Sequence, residues 1–346
     1  MQYSVSFPGG IVQYRFNASL AGIGEIVPHA RCIVITDGNI ARLHGHQFGA
    51  FKAVITIPAG EEHKNFSTVL SITQQLLQQE AHHNSFLLGI GGGMVTDITG
   101  FIASVYMRGI SFGYIPTSLL GMVDASIGGK NGINIGLQKN LLGTITQPKL
   151  ILFDSHFLDT LPDTEWANGF AEVIKYACLF DAGMFDELSE NNIDYYKQNK
   201  TAVSSLITRC VNWKNKIVLA DEQEYGIRKL LNFGHTAGHA FETVCNIPHG
   251  QAVALGMLAA CRLSEQYGLE TSVKEKLTTL LQQYNLPVTI DADTDKLMQV
   301  LTMDKKRDGD GIDFVILKSL GKAEIKNIGF DNIRHALEQF THAGNH

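Results

Sequence analysis

Three histidines lie close together in the second half of the sequence, in the segments LLNFGHTAGHAFE and IPHGQ. His235 and His239 are four residues apart, so a helix would place both imidazoles on one face, at the spacing that zinc-dependent proteases use. No glutamate stands between them, which excludes that protease motif. Because His249 follows shortly, the cluster predicts a site for zinc or a similar ion rather than three unrelated core or surface histidines.

An acidic partner for this cluster is present upstream, in the segment AEVIKY. Glu172 and Lys175 are three residues apart, on one face of a predicted helix. Such a pair on a helix surface contributes only about 0.3 kcal/mol. The apolar residues on either side indicate instead that this helix is substantially buried, which makes Glu172 a candidate metal ligand.

Consecutive glycines in GIGGGMVTD stand between a predicted strand and a predicted helix. They would let the backbone approach a ligand closely, and the helix N-terminus behind them favours an anion such as a pyrophosphate. The spacing differs from GxGxxG, so a plain tight turn remains the alternative. Asp97 could cap the helix or face the ligand. Asp37, after the strand CIVIT, could bind ribose hydroxyls or form an Asx-turn.

Glycine, lysine and asparagine are interleaved in VDASIGGKNGINIGLQKN, at 123–140. Lys130 and Lys139 follow glycine-containing turns, so we expect a loop that presents ammonium and backbone N–H groups to an anion rather than only to solvent. Arg108, after an apolar helix, could join them. The charge run MDKKRDGDG is by itself typical of a solvated loop.

Short apolar runs alternate with helical patterns through the first half of the chain, which predicts βαβ units and a mostly parallel sheet. Ligands of such sheets bind outside the carboxyl ends of the strands, so the turns at 36–39, 58–64, 91–97 and 116–118 matter most. Helical spacing dominates after 151–154, apart from a predicted hairpin at 314–325. We expect an α/β fold with an N-terminal Rossmann-like, nucleotide-binding domain at 1–158 and a largely α-helical, metal-binding domain at 159–346.

The chain has 346 residues, a net charge of −6 and 5 cysteines without a CxxC motif. A negative net charge argues against nonspecific binding to nucleic acid or to an anionic membrane surface. No apolar run is long enough to span a bilayer, and the first residues lack the pattern of a signal peptide. Because the cysteines are scattered and odd in number, we expect a reducing, cytoplasmic environment.

The residues alone therefore predict a nucleotide-binding domain joined to a Glu/His metal site, with cations at several turns for a small anionic substrate. A metal beside a nicotinamide suggests oxidation of an alcohol, in which the metal acidifies the hydroxyl as a Lewis acid.

The same motifs resemble, in their order, those of the sugar-phosphate cyclases and, among these, of the 3-dehydroquinate synthase family. The resemblance extends from about Asp37 to about Leu317 and rests on GGGMVTD, YMRGISFGYIPTSLLGMVDASIGGKNGINIGLQKNLLG, GFAEVIKY, LLNFGHTAGHAFE, HGQAVALGM and MDKK.

This resemblance implies roles for individual residues. NAD would be held by Asp37, Asn39, Glu61, Lys64, Gly92, Gly93, Asp97, Thr117, Ser118 and Lys139. A divalent metal, zinc or cobalt, would be bound by Glu172, His235 and His249, with His239 facing the substrate instead of the metal. Further substrate contacts would come from Asp124, Lys130, Asn140, Lys175, Lys214, Arg228, Asn232 and one of Lys305 and Lys306. Arg108 would reach across a homodimer interface to the substrate phosphate.

The reaction that the resemblance implies converts 3-deoxy-D-arabino-heptulosonate 7-phosphate to 3-dehydroquinate and phosphate, a step of the shikimate pathway to aromatic amino acids. It proceeds through transient oxidation with NAD, phosphate elimination, re-reduction, ring opening and an intramolecular aldol closure. NAD is regenerated within each turnover.

Two positions depart from the family pattern. Ser118 replaces a threonine and keeps the hydroxyl, and Gln251 replaces a glutamate two residues after His249. The alternatives to this function are another sugar-phosphate cyclase, a metal-dependent polyol dehydrogenase of similar fold, and a catalytically silent sugar-phosphate sensor. The GGKNGINIGLQKN segment argues against a neutral polyol, and the retained lysines and metal ligands argue against a sensor.

Overall fold

A computed structural model of the chain describes residues 1–136, 138–303, 307–308 and 311–341, with the backbone alone at 307–308. The described residues form two compact units. The first contains Met1–Pro162 and Lys200–Gln223, and the second contains Asp163–Asn199 and the described residues from Glu224 onward.

The first unit contains the strands predicted from the short apolar runs, together with others. Its strands are β1 (Gln2–Phe7), β2 (Gly10–Phe16), β3 (Cys32–Asp37), β4 (Ala53–Ile57), β5 (Phe86–Gly91), β6 (Ser111–Pro116), β7 (Lys130–Ile135), β8 (Gln138–Ile145) and β9 (Leu150–Phe153). Seven of them form one sheet in the order β1-β2-β9-β6-β5-β3-β4. Within it only β1 and β2 pair antiparallel, and the remaining neighbours are parallel. Every residue of β3 and β5 is buried, as expected of strands covered on both faces.

Helices connect these strands and make up most of the second unit. They are α1 (Gly38–His44), α2 (Phe66–Gln78), α3 (Gly93–Val105), α4 (Asp163–Phe180), α5 (Ala182–Glu190), α6 (Ile193–Gln198), α7 (Lys200–Ala220), α8 (His235–Cys245), α9 (His249–Glu265), α10 (Thr271–Gln283), α11 (Thr294–Thr302) and α12 (Phe330–Thr341). Short 3-10 helices lie at Leu20–Glu25, His29–Arg31, Gly45–Gln47, Glu61–His63, Tyr106–Arg108, Ser155–Thr160 and Ile227–Asn232, and Gly121–Ala125 is a π-helical turn. The parallel sheet and the helical second half confirm the predicted fold class.

The second unit also holds a small antiparallel sheet. Its strands are β10 (Arg307–Asp308), β11 (Gly311–Ser319) and β12 (Lys322–Gly329), in that order. The pair β11–β12 is the hairpin predicted at 314–325. Its buried side chains join those of α8, α9, α11 and α12 in one hydrophobic cluster, which fixes the two helices that carry the histidines. Among the described helices, none combines the length and the hydropathy that a bilayer-spanning segment requires.

The segment at 123–140 differs from the loop expected from its sequence. From Lys130 onward it forms the antiparallel hairpin β7–β8, in which Gly132 faces Gly143. A Cβ added to either glycine would lie within 3 Å of a backbone oxygen of the opposite strand, at 2.9 Å and 2.5 Å respectively. These two glycines therefore allow the strands to approach closely. From the sequence, the glycines of this segment were expected to form an anion-binding loop.

Helix α7 also differs from expectation, because the sequence division at 158/159 placed it in the second domain. In the structure it belongs to the first unit. Tyr14 Oη donates to Asn215 Oδ1 at 2.8 Å, and Lys214 Nζ lies 3.0 Å from Asp124 Oδ2. These contacts join residues distant in sequence, so the local pattern of α7 carried no sign of them.

The buried Tyr14–Asn215 hydrogen bond generates a stability prediction. Tyr14→Phe leaves Asn215 Oδ1 buried without this donor, and we expect the free energy of unfolding to fall by about 1–3 kcal/mol. Tyr3→Phe is the matched control, because Tyr3 Oη donates to Asn212 Oδ1 at 2.7 Å in an exposed position. Urea denaturation of both variants measures the difference. Equal losses of stability would show that the buried bond does not hold α7 in the first unit.

Candidate active site

Glu172 lies in the middle of α4, a helix whose residues are buried without interruption from Trp166 to Leu179. Glu172 is 0% exposed and Lys175, one turn later, is 1% exposed, so the pair is not the surface ion pair of ordinary helices. Lys175 Nζ contacts Glu172 Oε2. Burial would raise the pKa of Glu172, but the charges of Lys175 and His235 outweigh it and hold that pKa well below its usual range. The site therefore contains an ionised carboxylate on a buried stretch of helix.

Two imidazoles converge on this carboxylate. His235, the first residue of α8, places Nε2 3.2 Å from Glu172 Oε1. His249, the first residue of α9, places Nε2 3.4 Å from the same oxygen. One ligand atom from each of the three residues lies within 4.8 Å of the others, which is the arrangement needed to hold a metal ion.

The second ring nitrogens of these histidines have different surroundings. His235 Nδ1 lies 3.2 Å from the carbonyl oxygen of Phe233, and His249 Nδ1 lies 3.5 Å from Glu242 Oε2. Burial lowers the pKa of His235. Burial would also lower the pKa of His249, but hydrogen bonding to Glu172 and Glu242 and their charges raise it to about 9.

His239 lies beside the cluster without belonging to it. It follows His235 by one turn on α8, as the spacing predicted, and its ring centroid is 5.7 Å from that of His235 and 6.4 Å from that of His249. The described group of potential ligands contains His249 and not His239. The group that geometry brings together is Glu172, His235 and His249, and metal binding by these three residues stays a prediction.

Glycines allow α8 and α9 to approach closely enough to bring the histidines together. A Cβ on Gly256 would lie 1.9 Å from the carbonyl oxygen of Gly234, which itself has a φ of +77°. A Cβ on Gly238 would lie 3.0 Å from the carbonyl oxygen of Ala252. On the other side of α9, a Cβ on Gly250 would lie 2.5 Å from Asn168 Cα of α4. Small residues thus position both histidines against Glu172.

A second polar cluster, in the first unit, surrounds the ammonium of Lys64. Lys64 Nζ donates to Asp97 Oδ2 at 2.5 Å and to Asn140 Oδ1 at 2.6 Å, and it lies 3.7 Å from Glu61 Oε1. Burial would lower the pKa of Lys64, but the neighbouring carboxylates raise it, so the ammonium stays charged. These are four of the residues that the resemblance assigned to NAD or substrate.

Asn134 connects the same cluster through three hydrogen bonds, although the sequence did not single it out. Its backbone N donates to the carbonyl of Lys64 at 2.8 Å, and its Nδ2 donates to Glu61 Oε1 at 3.0 Å. Its Oδ1 accepts from the backbone N of Asn140 at 2.9 Å. Asn134 is the fifth residue of β7, and its position in that strand gave no signal of this role.

The turns after the parallel strands lie as the sequence predicted. Gly92 is the N-cap of α3, which begins at Gly93. Asp37 is 8% exposed and caps α1, because its Oδ1 accepts from the backbone N of Asn39 at 2.8 Å and of Ile40 at 3.1 Å. Asp37 thus forms the turn expected of an Asx-turn, and ribose binding by the same residue stays a prediction. After β6, Thr117 and Ser118 are buried, and Ser118 Oγ accepts from the backbone N of Gly121 at 3.1 Å.

The backbone of Lys130 is fixed by a buried polar network. Tyr114 Oη donates to Asn131 Oδ1 at 2.5 Å, and Asn131 Nδ2 donates to the carbonyls of Gly129 at 2.9 Å and Thr146 at 3.0 Å. A Cβ on Gly100 would lie 2.1 Å from Asn131 Oδ1, so a glycine is needed to leave room for the network. The side chains of Lys130 and Lys139 themselves are exposed.

Other predicted site residues divide between the units. Lys214 Nζ donates to the carbonyl of Asp124 at 2.7 Å in the first unit. In the second unit Arg228 is 1% exposed, and Asn232 Nδ2 donates at 3.0 Å to Glu224 Oε1, a carboxylate that the sequence analysis missed. Lys305 and Lys306 lie outside the described residues.

Comparison with known proteins shows which family the chain resembles. The model of the 3-dehydroquinate synthase N-terminal region matches residues 54–168, and that of the C-terminal region matches residues 169–307. A 3-dehydroquinate synthase of Campylobacter concisus is 39% identical over 318 residues, which cover 89% of this chain and 91% of that protein.

Solved structures agree. A 2-epi-5-epi-valiolone synthase from Streptomyces hygroscopicus, with NAD⁺ and Zn²⁺ bound, aligns with a TM-score of 0.87 at 26% identity, covering 98% of this chain and 97% of that one. A 2-deoxy-scyllo-inosose synthase complexed with carbaglucose-6-phosphate, NAD⁺ and Co²⁺ shares the fold, with a TM-score of 0.87 at 22% identity and coverage of 98% and 100%.

Fold and site together define a sugar-phosphate cyclase. Within that class, the matches over both halves of the sequence are specific: the chain belongs to the 3-dehydroquinate synthase family.

The contact between α8 and α9 generates a prediction about glycine. Gly256→Ala forces a Cβ against a backbone oxygen, and we expect the free energy of unfolding to fall by about 1–3 kcal/mol, as overpacked cores do. Gly183→Ala in α5 is the matched control, since its Cβ would meet only Asp181 Oδ1 at an ordinary 3.6 Å. Chemical denaturation compares the two. A Gly256→Ala protein as stable as Gly183→Ala would contradict the close approach of the two helices.

Proposed function

We propose that this chain converts 3-deoxy-D-arabino-heptulosonate 7-phosphate to 3-dehydroquinate and phosphate, the reaction of its family in aromatic amino-acid biosynthesis. The observation that carries the proposal is the family match across residues 54–307. The Glu172 cluster and the cations of the first unit give that match a chemical basis.

The residues of the Glu172 cluster fit a divalent metal. Both carboxylate oxygens of Glu172 are buried, and the neighbours described for them are the ammonium of Lys175 and the two imidazole nitrogens. Both imidazoles turn Nε2 towards Glu172 Oε1. A metal that binds here would displace the proton that the raised pKa keeps on His249. The remaining carboxylate and two neutral imidazoles are the donor set of catalytic zinc sites, in which a further position stays open for substrate or water. Glu172, His235 and His249 would hold zinc or cobalt, the metals named for the two related cyclases.

The bound metal would act as a Lewis acid that lowers the pKa of a coordinated substrate hydroxyl. Lys175 has its ammonium beside Glu172, so it keeps the carboxylate ionised and offers donors to a substrate oxygen. His239 stands one turn from His235, where its imidazole can donate to or accept from a substrate oxygen.

The residues of the first unit fit a dinucleotide. The N-terminus of α3 begins at Gly92–Gly93 directly after β5, and backbone N–H groups at such a terminus bind pyrophosphate. We propose that NAD contacts these glycines together with Asp37, Asn39, Glu61, Lys64, Asp97, Thr117, Ser118 and Lys139. NAD would supply a hydride acceptor that returns the hydride within the same turnover. Lys64, held between Asp97 and Asn140, fixes the position of both side chains for binding.

Charged and amide side chains supply the substrate contacts that a phosphate and a carboxylate require. We assign this role to Asp124, Lys130, Asn140, Lys175, Lys214, Arg228, Asn232 and His239, together with one of Lys305 and Lys306. The fixed backbone around Lys130 presents its ammonium without the entropy loss of ordering a mobile loop.

We further propose a homodimer in which Arg108 binds the substrate phosphate of the partner subunit. Arg108 is exposed, and the tip on which it stands is strained, with φ values of 49° at Met107 and 66° at Arg108. Left-handed backbone at two successive non-glycine residues costs energy and is found mainly where function requires it. We place the enzyme in the cytoplasm, which the 5 free cysteines support.

A single assay tests the reaction against its alternatives. With the heptulosonate phosphate, a divalent metal and NAD far below the substrate concentration, we expect phosphate and 3-dehydroquinate in equal amounts and no accumulation of NADH. This result follows because the hydride is returned. Phosphate release, product absorbance and NADH absorbance are measured together.

The Glu172→Gln variant is the control, since it keeps the shape of the side chain and removes its charge. A contaminating phosphatase would release phosphate in both proteins, whereas the proposed enzyme releases it only in the wild type. NADH formed in proportion to product would favour the polyol dehydrogenase. A different carbocycle would indicate another cyclase, and absence of turnover would favour the sensor.

A further inference from the structure

We propose that Glu242 is a positioning residue of the metal site, which orients His249 through its Nδ1 and strengthens that imidazole as a ligand. The inference rests on the proposed metal-binding role of Glu172, His235 and His249. It concerns a carboxylate that neither the sequence motifs nor the family resemblance assigned.

Geometry places Glu242 behind His249 as seen from Glu172. The ring of His249 has its Nε2 3.4 Å from Glu172 Oε1 and its Nδ1 3.5 Å from Glu242 Oε2. The Nδ1 distance is at the outer limit of a hydrogen bond. A carboxylate at Nδ1 favours the tautomer with a proton on that nitrogen, which leaves the Nε2 lone pair for a cation.

The contact between Glu242 and His249 is partly buried. Glu242 is 9% exposed, and a buried carboxylate is costly unless it is paired and hydrogen-bonded. Glu242 follows His235 by seven residues on α8, so it lies two turns further along the same face. The chain then turns at Asn246, which has a φ of 52°, and α9 begins at His249 after Pro248. This reversal brings the first residue of α9 back beside Glu242.

The two histidine ligands therefore differ in their support. His235 faces the neutral carbonyl of Phe233 at 3.2 Å, whereas His249 faces a charged carboxylate. A carboxylate raises the basicity of a hydrogen-bonded imidazole more than a carbonyl does. Gln251 is not placed to support Nδ1 of His249. It lies two positions further along α9, so its side chain leaves the helix in a direction rotated by about 200° from that of His249.

The test is a titration of cobalt into the metal-stripped full-length protein. The visible absorption of the bound ion reports both the affinity and the coordination geometry. Loss of such a supporting group typically costs about 10–100-fold in metal affinity. We expect a loss in that range for Glu242→Ala, with an altered cobalt spectrum. Glu242→Gln keeps an oxygen that can accept from Nδ1–H, so we expect a smaller loss. Gln251→Glu, the control on α9, is expected to bind cobalt like the wild type.

Thermal unfolding of each metal-free protein separates positioning from folding. If Glu242 only stabilised the fold, its variants would unfold at lower temperature but bind cobalt with wild-type affinity and spectrum, which would overturn the inference. An equal loss in Gln251→Glu would overturn it as well.

The metal site itself is tested in parallel by His249→Ala. If this variant binds cobalt like the wild type, the proposed ligand set fails. If His249→Ala loses cobalt and both Glu242 variants retain it, the ligand set stands and only the role of Glu242 is refuted.

Discussion

The candidate active site depends on one energetic constraint, an ionised carboxylate on a buried stretch of helix. Glu172 is 0% exposed, and taking an isolated carboxylate out of water costs several kcal/mol or more even after the protein relaxes. Lys175 on the same helix and the imidazoles of His235 and His249 offset this cost. Because these partners come from three separate helices, α4, α8 and α9 must meet at this point. The close contacts at Gly250, Gly234 and Gly256 follow from that requirement, since a side chain at any of them would separate the helices.

The first unit contains a buried group of the opposite charge, the ammonium of Lys64. Lys64 is 4% exposed, and its ammonium is held by Asp97 of α3, Asn140 of β8 and Glu61, which follows β4. Nearby, Tyr114 and Asn131 fix the backbone of the β7 hairpin. In each unit the buried charge is surrounded by polar side chains that hydrogen-bond to it or form ion pairs with it. Such preorganisation suits a reaction in which oxidation, elimination and reduction use one set of groups without exchange of the cofactor.

Local patterns predicted the elements well and their assembly less well. The glycine turn before α3, the histidine helix and the hairpin at 314–325 follow from periodicity and turn residues that lie next to one another in sequence. The β7–β8 hairpin was missed because its glycines also suit an anion loop, and α7 was grouped with the wrong unit because Tyr14 and Asn215 are distant in sequence. In the site, spacing found His235 and His239, but only tertiary structure shows that His249 shares a carboxylate oxygen with His235. Asn134, Glu224 and Glu242 carried no local signal, since their contacts are made by folding.

The most direct test of this account is anomalous X-ray scattering from crystals of the zinc- or cobalt-loaded protein. We predict a single strong peak about 2.0–2.2 Å from Nε2 of His235, Nε2 of His249 and a carboxylate oxygen of Glu172. His239 should lie beyond bonding distance of that peak. A peak bonded to His239 in place of His249, or a metal bound away from Glu172, would contradict the claim that the buried carboxylate is the centre of the site.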